Sequence, residues 1–466
     1  MSALERLASL APHEAAEFAS ELLGGGFAVA NESSAVNFRW AGSSLTTNGS
    51  ITSTSITVVA IDPSDRVGTA SSSGELTRDV VVELVARAEA VAADSQPAEE
   101  ISPMVTPSEA GDSPAVWAST RPEVSLDGVA DFTTRLGSLF AGVSSSDYAL
   151  YGFAEQAVSS VWLASTTGLR LRHDQPSGSV AATGRAHDGR ISTWAGRQAP
   201  RLDDVDVTGL GVEIATKFGW AKAPVSVEPG RQQVILTPSA VSDLMIIAHW
   251  QMSGRNAREG RSPYSNGAST KLDDRLAPKG VSLYSDPAHP AMPCEPFHIA
   301  SSNGALQSVF DTGLATARTH WITDGVLTNL VETRAGAAAN GRNFTPMGSN
   351  LVLDAGGEKT FEDLVASTER ALLINTLWYI RDVDPTTMLL TGLTRDGVYL
   401  VEDGEIKGAA SNFRWNDSPL GVLDRIVDSA RPELCLPREW GDWWERAMMS
   451  PLRVADFNIS SVSAAI

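Results

Sequence analysis

Cysteine is almost missing from this chain: among 466 residues only Cys294 and Cys435 occur, far apart. Disulfide-stapled secreted folds use more cysteines than this, so free buried thiols and a reducing compartment are expected. Positive charge is scarce too, with 36 Lys and Arg against 56 Asp and Glu and a net charge of -20. A field of that sign excludes a nucleic-acid backbone or an anionic membrane surface as partner, but does not repel positively charged peptides. No apolar run approaches the roughly 20 residues that span a bilayer. The opening MSALERLASLAPHEAAEFASELL has acids throughout and reads as neither signal nor transit peptide, so a cytoplasmic protein is expected.

Signature motifs are missing as well. The sequence contains no HExxH, no paired CxxC, no EF-hand loop, no GxSxG elbow, no SxxK and no P-loop lysine. Local zinc and calcium sites, the usual serine hydrolases and nucleotide-binding loops lose their support together. The seven histidines are dispersed.

What is present is a globular composition, 42% apolar and 20% charged, and a chain long enough for two or three domains. Its centre of gravity is Ser239 to Ser265, SAVSDLMIIAHWQMSGRNAREGRSPYS, which begins as a buried helix and turns polar and Gly-marked. Ser242 and Asp243 could cap that helix. Leu244, Ile247, Ala248 and Gln251 would share a face, broadened by Met245, Trp250 and Met252, and Gly254 is a plausible stop. Metal-assisted hydrolysis on a helix needs ligands about one turn apart and a carboxylate to activate water. Here His249 stands alone among oily residues and reads first as a packed helix position.

In chain order, a helix is expected over Ala3 to Leu23, stopped by Gly24 to Gly26, whose glycines read as a C-cap and not as a phosphate loop. A hairpin with its turn at Asn48-Gly49 follows, then a helix from Gly74 to Ala93 and a Pro, Ser and acid-rich surface loop from Asp94 to Glu123. Helices over Val129 to Gly142 and Val205 to Lys222 flank strand-rich sequence. Beyond QQVILTPSAV, a strand leading into the central helix, short strands dominate, interrupted by a helix over Phe361 to Ala371. The strongest hairpin signal places a turn at Asp396-Gly397 and starts a third strand after Asp403-Gly404. The fold class is α+β: an N-terminal α+β domain over residues 1–224 and a β-rich domain over 225–466.

Two smaller patterns carry chemistry only weakly. Asp382 and Asp384 in YIRDVDP could share one strand face as a carboxylate pair, although a solvated strand end before Pro385 reads better. Asn412-Phe-Arg-Trp415 echoes Asn37-Phe-Arg-Trp40, which suggests exposed strands where Arg and Trp meet a partner. Trp440, Trp443 and Trp444 cluster in the tail and close either a core or a subunit interface.

Resemblance goes further than these patterns. LWYIRDVDPTTMLLTGLTRDGVYLVEDGEIKGA, SGRNAREGRS, FDTGL, LPREWGD and VADFNISSVSAA, with the earlier FRWAGSSLTTNG and ASTTGLRL, resemble the TldD/PmbA (TldE) family, and most closely its actinobacterial TldE-like branch. The resemblance implies a two-domain fold and a heterodimer with a TldD-like partner that encloses a proteolytic chamber for peptides. In the family the TldD-like chain binds the catalytic zinc on a helix of pattern HExxxH. Laid on that pattern, this sequence puts Met245 and Trp250 at the two histidine positions and Ile246 at the glutamate, with His249 one residue short. Thioether and indole cannot replace imidazole and carboxylate here. The resemblance therefore implies a metal-free TldE-like subunit, without cofactor or catalytic residues of its own, beside a zinc-carrying TldD-like partner. The substrate- or partner-facing residues expected on this reading are Thr391, Gly392, Arg395, Asp396 and Gly397, together with His249. The alternatives are an autonomous peptide-processing enzyme of the same fold, using Asp382, Asp384 or His249, and a peptide-binding scaffold.

Overall fold

The computed structural model describes residues 8–463 and builds three main sheets. The expected start of the first helix at Ala3 lies outside the described residues; within them the helix α1 spans only Pro12–Leu22, because Ser9 is drawn into a bridge with Thr77 instead. β1 (Gly26–Ala41) and β2 (Ser44–Ile61) form the expected hairpin, but the chain reverses at Gly42 and Ser43, both at positive φ near 60°. Asn48-Gly49 runs on inside β2, opposite Phe38 and Asn37. β3 (Val67–Ser73), α2 (Arg78–Asp94), α3 (Ala130–Gly142), β4 (Tyr148–Ser165), β5 (Arg170–Ala186), β6 (Ser192–Ala199) and α4 (Val207–Ala221) follow. The six strands pair antiparallel in the order β3-β2-β1-β4-β5-β6. Residues 95–123 form no helix or strand, in keeping with the expected surface loop.

Alternation along β1 shows how this sheet gathers its helices. Ala28 and Ala30 meet α1 and α2, while Val36, Phe38 and Trp40 on the same face meet Phe132 and Leu136 of α3 and Leu210, Ile214 and Phe218 of α4. Phe27 and Val29, on the other face, bury against Phe297, Val309 and Phe310 from the second half of the chain.

The strands of the other two sheets lie beyond Gly230. After β7 (Gly230–Leu236) come α5 (Pro238–Trp250), α6 (Gly254–Arg258) and the two-residue strands β8 (Ser265–Asn266) and β9 (Ser269–Thr270). The second sheet, in the order β12-β11-β10-β13-β20-β19, uses β10 (Ser282–Ser285), β11 (Thr319–Thr323), β12 (Val326–Leu327), β13 (Leu351–Asp354), β19 (Glu433–Cys435) and β20 (Ala447–Met449). The third uses β7 with β14 (Arg370–Asp384), β15 (Leu389–Glu402), β16 (Glu405–Ala409), β17 (Phe413–Asp417), β18 (Ile426–Ser429) and β21 (Leu452–Val462). Because β14 pairs with both β7 and β15, the ring β14-β7-β21-β17-β15 closes on itself. The remaining helices are short: α7 (Arg334–Ala339), α8 (Phe361–Ala366) and α9 (Pro419–Asp424). α8 ends before the expected Ala371, which is drawn into β14.

The two Asn-Phe-Arg-Trp segments sit alike, though not as exposed strands. Trp40 pairs across from Gly152 and Trp415 across from Gly392, and both indoles are buried against the glycine opposite. A side chain on either glycine would occupy the space of the ring, so the tryptophans are core residues and not partner contacts.

Candidate functional site

α5 begins five residues earlier than a cap at Ser242 would give. Thr237 caps it by accepting from the Ala240 amide at 3.3 Å, and Pro238 supplies the first helical position, where a missing N–H costs nothing. Ser242 and Asp243 are therefore interior and fully buried. Gly254 does not stop the helix; α5 ends at Trp250, and Gly254 opens α6 under a Ser253 cap.

Asp243 has structural work instead of capping. Its carboxylate accepts from the backbone amides of Arg438 (3.3 Å), Glu439 (3.0 Å) and Trp440 (3.3 Å), and Trp440 Nε1 donates to the Asp243 carbonyl at 3.0 Å. Burial pushes the Asp243 carboxyl well above the usual range, and the three amides pull against that shift. The turn so fixed aims two charged side chains. Glu439 accepts from the amides of Tyr379 (2.9 Å) and Ile380 (3.1 Å), holding a bulge in β14 where Tyr379 takes a positive φ of 53°. Arg438 lies over the rings of Trp378 (4.5 Å) and Trp194 (5.4 Å) and reaches Asp396 at 3.5 Å.

At the C-terminal end of α5 the aromatic tail closes a core. Trp250 meets Trp440 at 5.3 Å and Trp444 at 6.4 Å, while His249 lies 4.7 Å from Trp321 and 5.5 Å from Trp444. Trp443 points outward and is 79% exposed. His249, expected among the substrate- or partner-facing residues, is instead fully enclosed, and neither ring nitrogen has a hydrogen-bond partner. Burial drives its imidazole down to about 4, with the Gly348 backbone pulling the other way. Met245 and Ile246 are wholly buried in the main core, with Trp250 packed against it. These positions offer no imidazole or carboxylate, so they do not fit zinc. Among the described residues no three His, Cys, Asp or Glu side chains converge in a way that could hold a metal ion.

The stretch Thr391 to Gly397 is part of one continuous strand, β15, and not a hairpin tip. Asp396 (φ 54°) and Gly397 (φ 123°) together oppose the single residue Asn375 as a bulge, because the strand on both sides keeps pairing with β14. The real reversals fall after Asp384, before Met388, and at Asp403-Gly404, where the third strand does begin. Asp396 is only 3% exposed and accepts from Ser192 Oγ at 2.6 Å. Asn375 donates to the carbonyls of Trp194 (2.9 Å) and Asp396 (2.8 Å) and accepts from Lys217 Nζ at 2.5 Å. Lys217 in turn pairs with Glu213, and Lys217 and Arg197 together hold that carboxyl down to about 2 against its burial. Thr391 donates to the Trp415 carbonyl at 3.2 Å, and Arg395 lies over Trp378 at 5.7 Å. Gly397 lines an open cleft of about 330 Å³ shared with Ser192 and Val398. The structure thus joins Asp396 to Arg438, Ser192 and Asn375 as an internal joint between first and third sheets.

Asp382 and Asp384 make no site. Both lie at the exposed end of β14, where Asp384 accepts from Thr386 and Thr387 in the following turn. A larger cleft, about 480 Å³, opens beside the tryptophan cluster and is lined by Glu295, His298, Asp442, Trp443, Trp444 and Glu445, among others. Burial holds His298 down to about 4 against the pull of Glu295, so both it and His249 are neutral at physiological pH.

No curated protein matches this chain. Solved structures match in fold: TldE from Thermococcus kodakarensis is 16% identical with a TM-score of 0.75, covering 95% of this chain and 98% of that one. Two candidate modulators of DNA gyrase also match. The one from Thermotoga maritima is 17% identical at a TM-score of 0.71, with 92% and 95% of the chains covered. The one from Bacteroides thetaiotaomicron is 15% identical at 0.72, with 96% and 98% covered. The model of the PmbA/TldA metallopeptidase C-terminal domain matches residues 229–461, a span that contains α5, the Asp396 bulge and the closed ring of strands. This chain belongs to the PmbA/TldD metallopeptidase family.

Proposed function

We propose that this chain is the metal-free, TldE-like subunit of a TldD/TldE-type zinc metallopeptidase that acts on unfolded or modified peptides. The observation that carries the reading is the filling of α5: Met245, Ile246 and Trp250 stand where a zinc-binding HExxxH helix would present two imidazoles and a carboxylate, the first two buried in the core and Trp250 packed against it. Zinc and water activation would then reside on an HExxxH-bearing partner. This chain would contribute walls and an electrostatic bias. Its net charge of -20, with Glu295, Asp442 and Glu445 around one cleft, favours peptides that carry positive charge. Buried free Cys294 and Cys435 support a reducing, cytoplasmic setting. Among the described residues no helix is long and apolar enough to cross a membrane.

The reading in which this chain works alone draws no support from its candidate groups. His249 is sealed from solvent, and Asp382 and Asp384 sit in a solvated strand end. The deciding experiment purifies the chain alone and together with an HExxxH relative from the same genome, then measures bound zinc and cleavage of unstructured peptides. Zinc and cleavage are expected only with the partner. Stoichiometric zinc on the isolated chain, or cleavage by it, overturns the proposal.

A further inference from the structure

The edges of a sheet present unpaired backbone donors and acceptors, and soluble proteins blunt them with charge, proline, shortness or a covering element. Most sheet edges here follow that rule. β6 is covered by the second half of the chain, through Ser192 to Asp396 and Gln198 to the Ala447 carbonyl. β3 is short and crossed by α2, whose Arg87 bonds the Ser71 carbonyl. β16 carries Glu405 and Lys407 and spans 5 residues, while β12 and β19 have 2 and 3.

β2 is the exception. It is 18 residues long, but β3 pairs with it only over Ser55 to Ile61, and Gly74 takes the Thr54 carbonyl. Among the described residues no strand pairs the outer edge from Ser44 to Ser53, a length of about 33 Å at the usual rise. That stretch, SLTTNGSITS, has no charge and no proline, and Leu45 and Ile51 are 48% and 56% exposed. The neutrality extends further: from Ser33 to Ile61 the single charged residue is Arg39, in a chain where 20% of residues are charged.

Two copies of a protein with net charge -20 repel each other almost wherever they touch. They can meet without that penalty through a neutral strip, and an unblunted strand edge supplies the attraction as main-chain hydrogen bonds. We infer that the outer edge of β2 over Ser44 to Ser53 docks a second copy of this chain, the two edges pairing antiparallel about a two-fold axis at Gly49, which sets Thr47 of each copy opposite Ile51 of the other. Such an interface is self-complementary and closes at the dimer, and it fuses the two six-stranded sheets into one. It is independent of the peptidase reading, since it needs neither zinc nor an HExxxH chain.

The test is the mass of the isolated full chain in solution by light scattering, with and without Thr47→Lys plus Ile51→Lys. Both side chains are exposed and belong to no core cluster, so the folded protomer should melt as before. The expected result is a species of about twice 49.3 kDa, with dimerisation weakened at least tenfold by the lysines, which bring like charges together along the paired edge. Hydrogen exchange should show the amides of residues 44–53 that face away from β1 protected at high protein concentration and released on dilution or in the variant. A monomer at tens of micromolar, or a dimer indifferent to the lysines, overturns the inference. So does a monomer whose edge is protected only by an added unstructured peptide or by an HExxxH relative, since either outcome gives the edge to another occupant.

Discussion

Ser192 Oγ donates to Asp396 Oδ1 at 2.6 Å, joining residues 204 positions apart in the chain. The bond spans the junction between β6 of the first sheet and the bulge of β15 in the third, and it does not stand alone. Arg438 approaches the same carboxylate from the turn that Asp243 anchors, and Asn375 bridges the Trp194 and Asp396 carbonyls. The polar groups of the bulge are thus satisfied by both halves of the molecule at once. A buried network of this kind fixes one relative placement of two sheets, because any slip strands several donors and acceptors in a dry environment.

Replacing Asp396 by Asn tests that joint. Asn tolerates the left-handed backbone as Asp does, so the change acts through charge and hydrogen bonding, not strain. The amide keeps an acceptor for Ser192 but turns a donor toward Arg438. A loss of about 1–3 kcal/mol is expected in urea denaturation. Ser192→Ala in the Asp396→Asn background should cost less than it does alone, since the two share a bond. Strict additivity would show that the contact contributes nothing of its own.

Gly392 and Gly137 should respond to alanine in opposite directions. A Cβ at Gly392 would stand 2.7 Å from the buried Trp415 ring, which has nowhere to move. Overpacking of this sort costs about 1–3 kcal/mol. At Gly137, inside α3, a Cβ meets nothing within 4 Å, and alanine should stabilise by roughly 0.5–1 kcal/mol. Thermal melting of the two variants reads both signs.

What the sequence showed and what it hid divide along the range of the interactions involved. α3 and α4 were legible to within two residues, and β4, β5 and β7 as strands, because periodicity is local. Local turn chemistry misled twice. Asn48-Gly49 and Asp396-Gly397 both read as hairpin tips, yet one lies inside a regular strand and the other is a bulge. An Asp-Gly pair suits a left-handed backbone in a turn and in a bulge alike, and only the pairing of the neighbouring strand decides between them. The helix cap lies five residues before Ser242, where it was sought, in Thr237-Pro238. At the site, the apolar Met245, Ile246 and Trp250 were visible in sequence. The roles of Lys217, Asn375, Arg438 and Glu439 were not, since each depends on partners many tens of residues away.

Cys294 and Cys435 should be silent in the folded protein. Both thiols are buried and free, and burial lifts Cys294 to about 12 and Cys435 higher still. The thiolate is the reactive form, so almost none is available near neutral pH. A chromogenic disulfide reagent should titrate no thiol in native buffer and two after unfolding in guanidinium. A fast native reaction at either position would mean that its surroundings open far more often than the packing implies.

His249 is expected to set the acid limit of stability. Its folded value of about 4 lies below the ordinary 6.5, so the fold favours the neutral ring. The stability this contributes is therefore complete above about pH 6.5 and is lost as the pH falls toward 4, on the order of 3 kcal/mol for a shift of that size. The partly open His298 moves in the same direction, with its share reduced by solvent. His249→Phe keeps a ring between Trp321 and Trp444 and removes two nitrogens that have no partner. Chemical denaturation from pH 7 to pH 4 should show the native protein weakening steadily and the variant weakening much less, with its stability at neutral pH equal or higher. If both curves fall in parallel, protons enter elsewhere and the buried imidazole is not the group that limits the fold in acid.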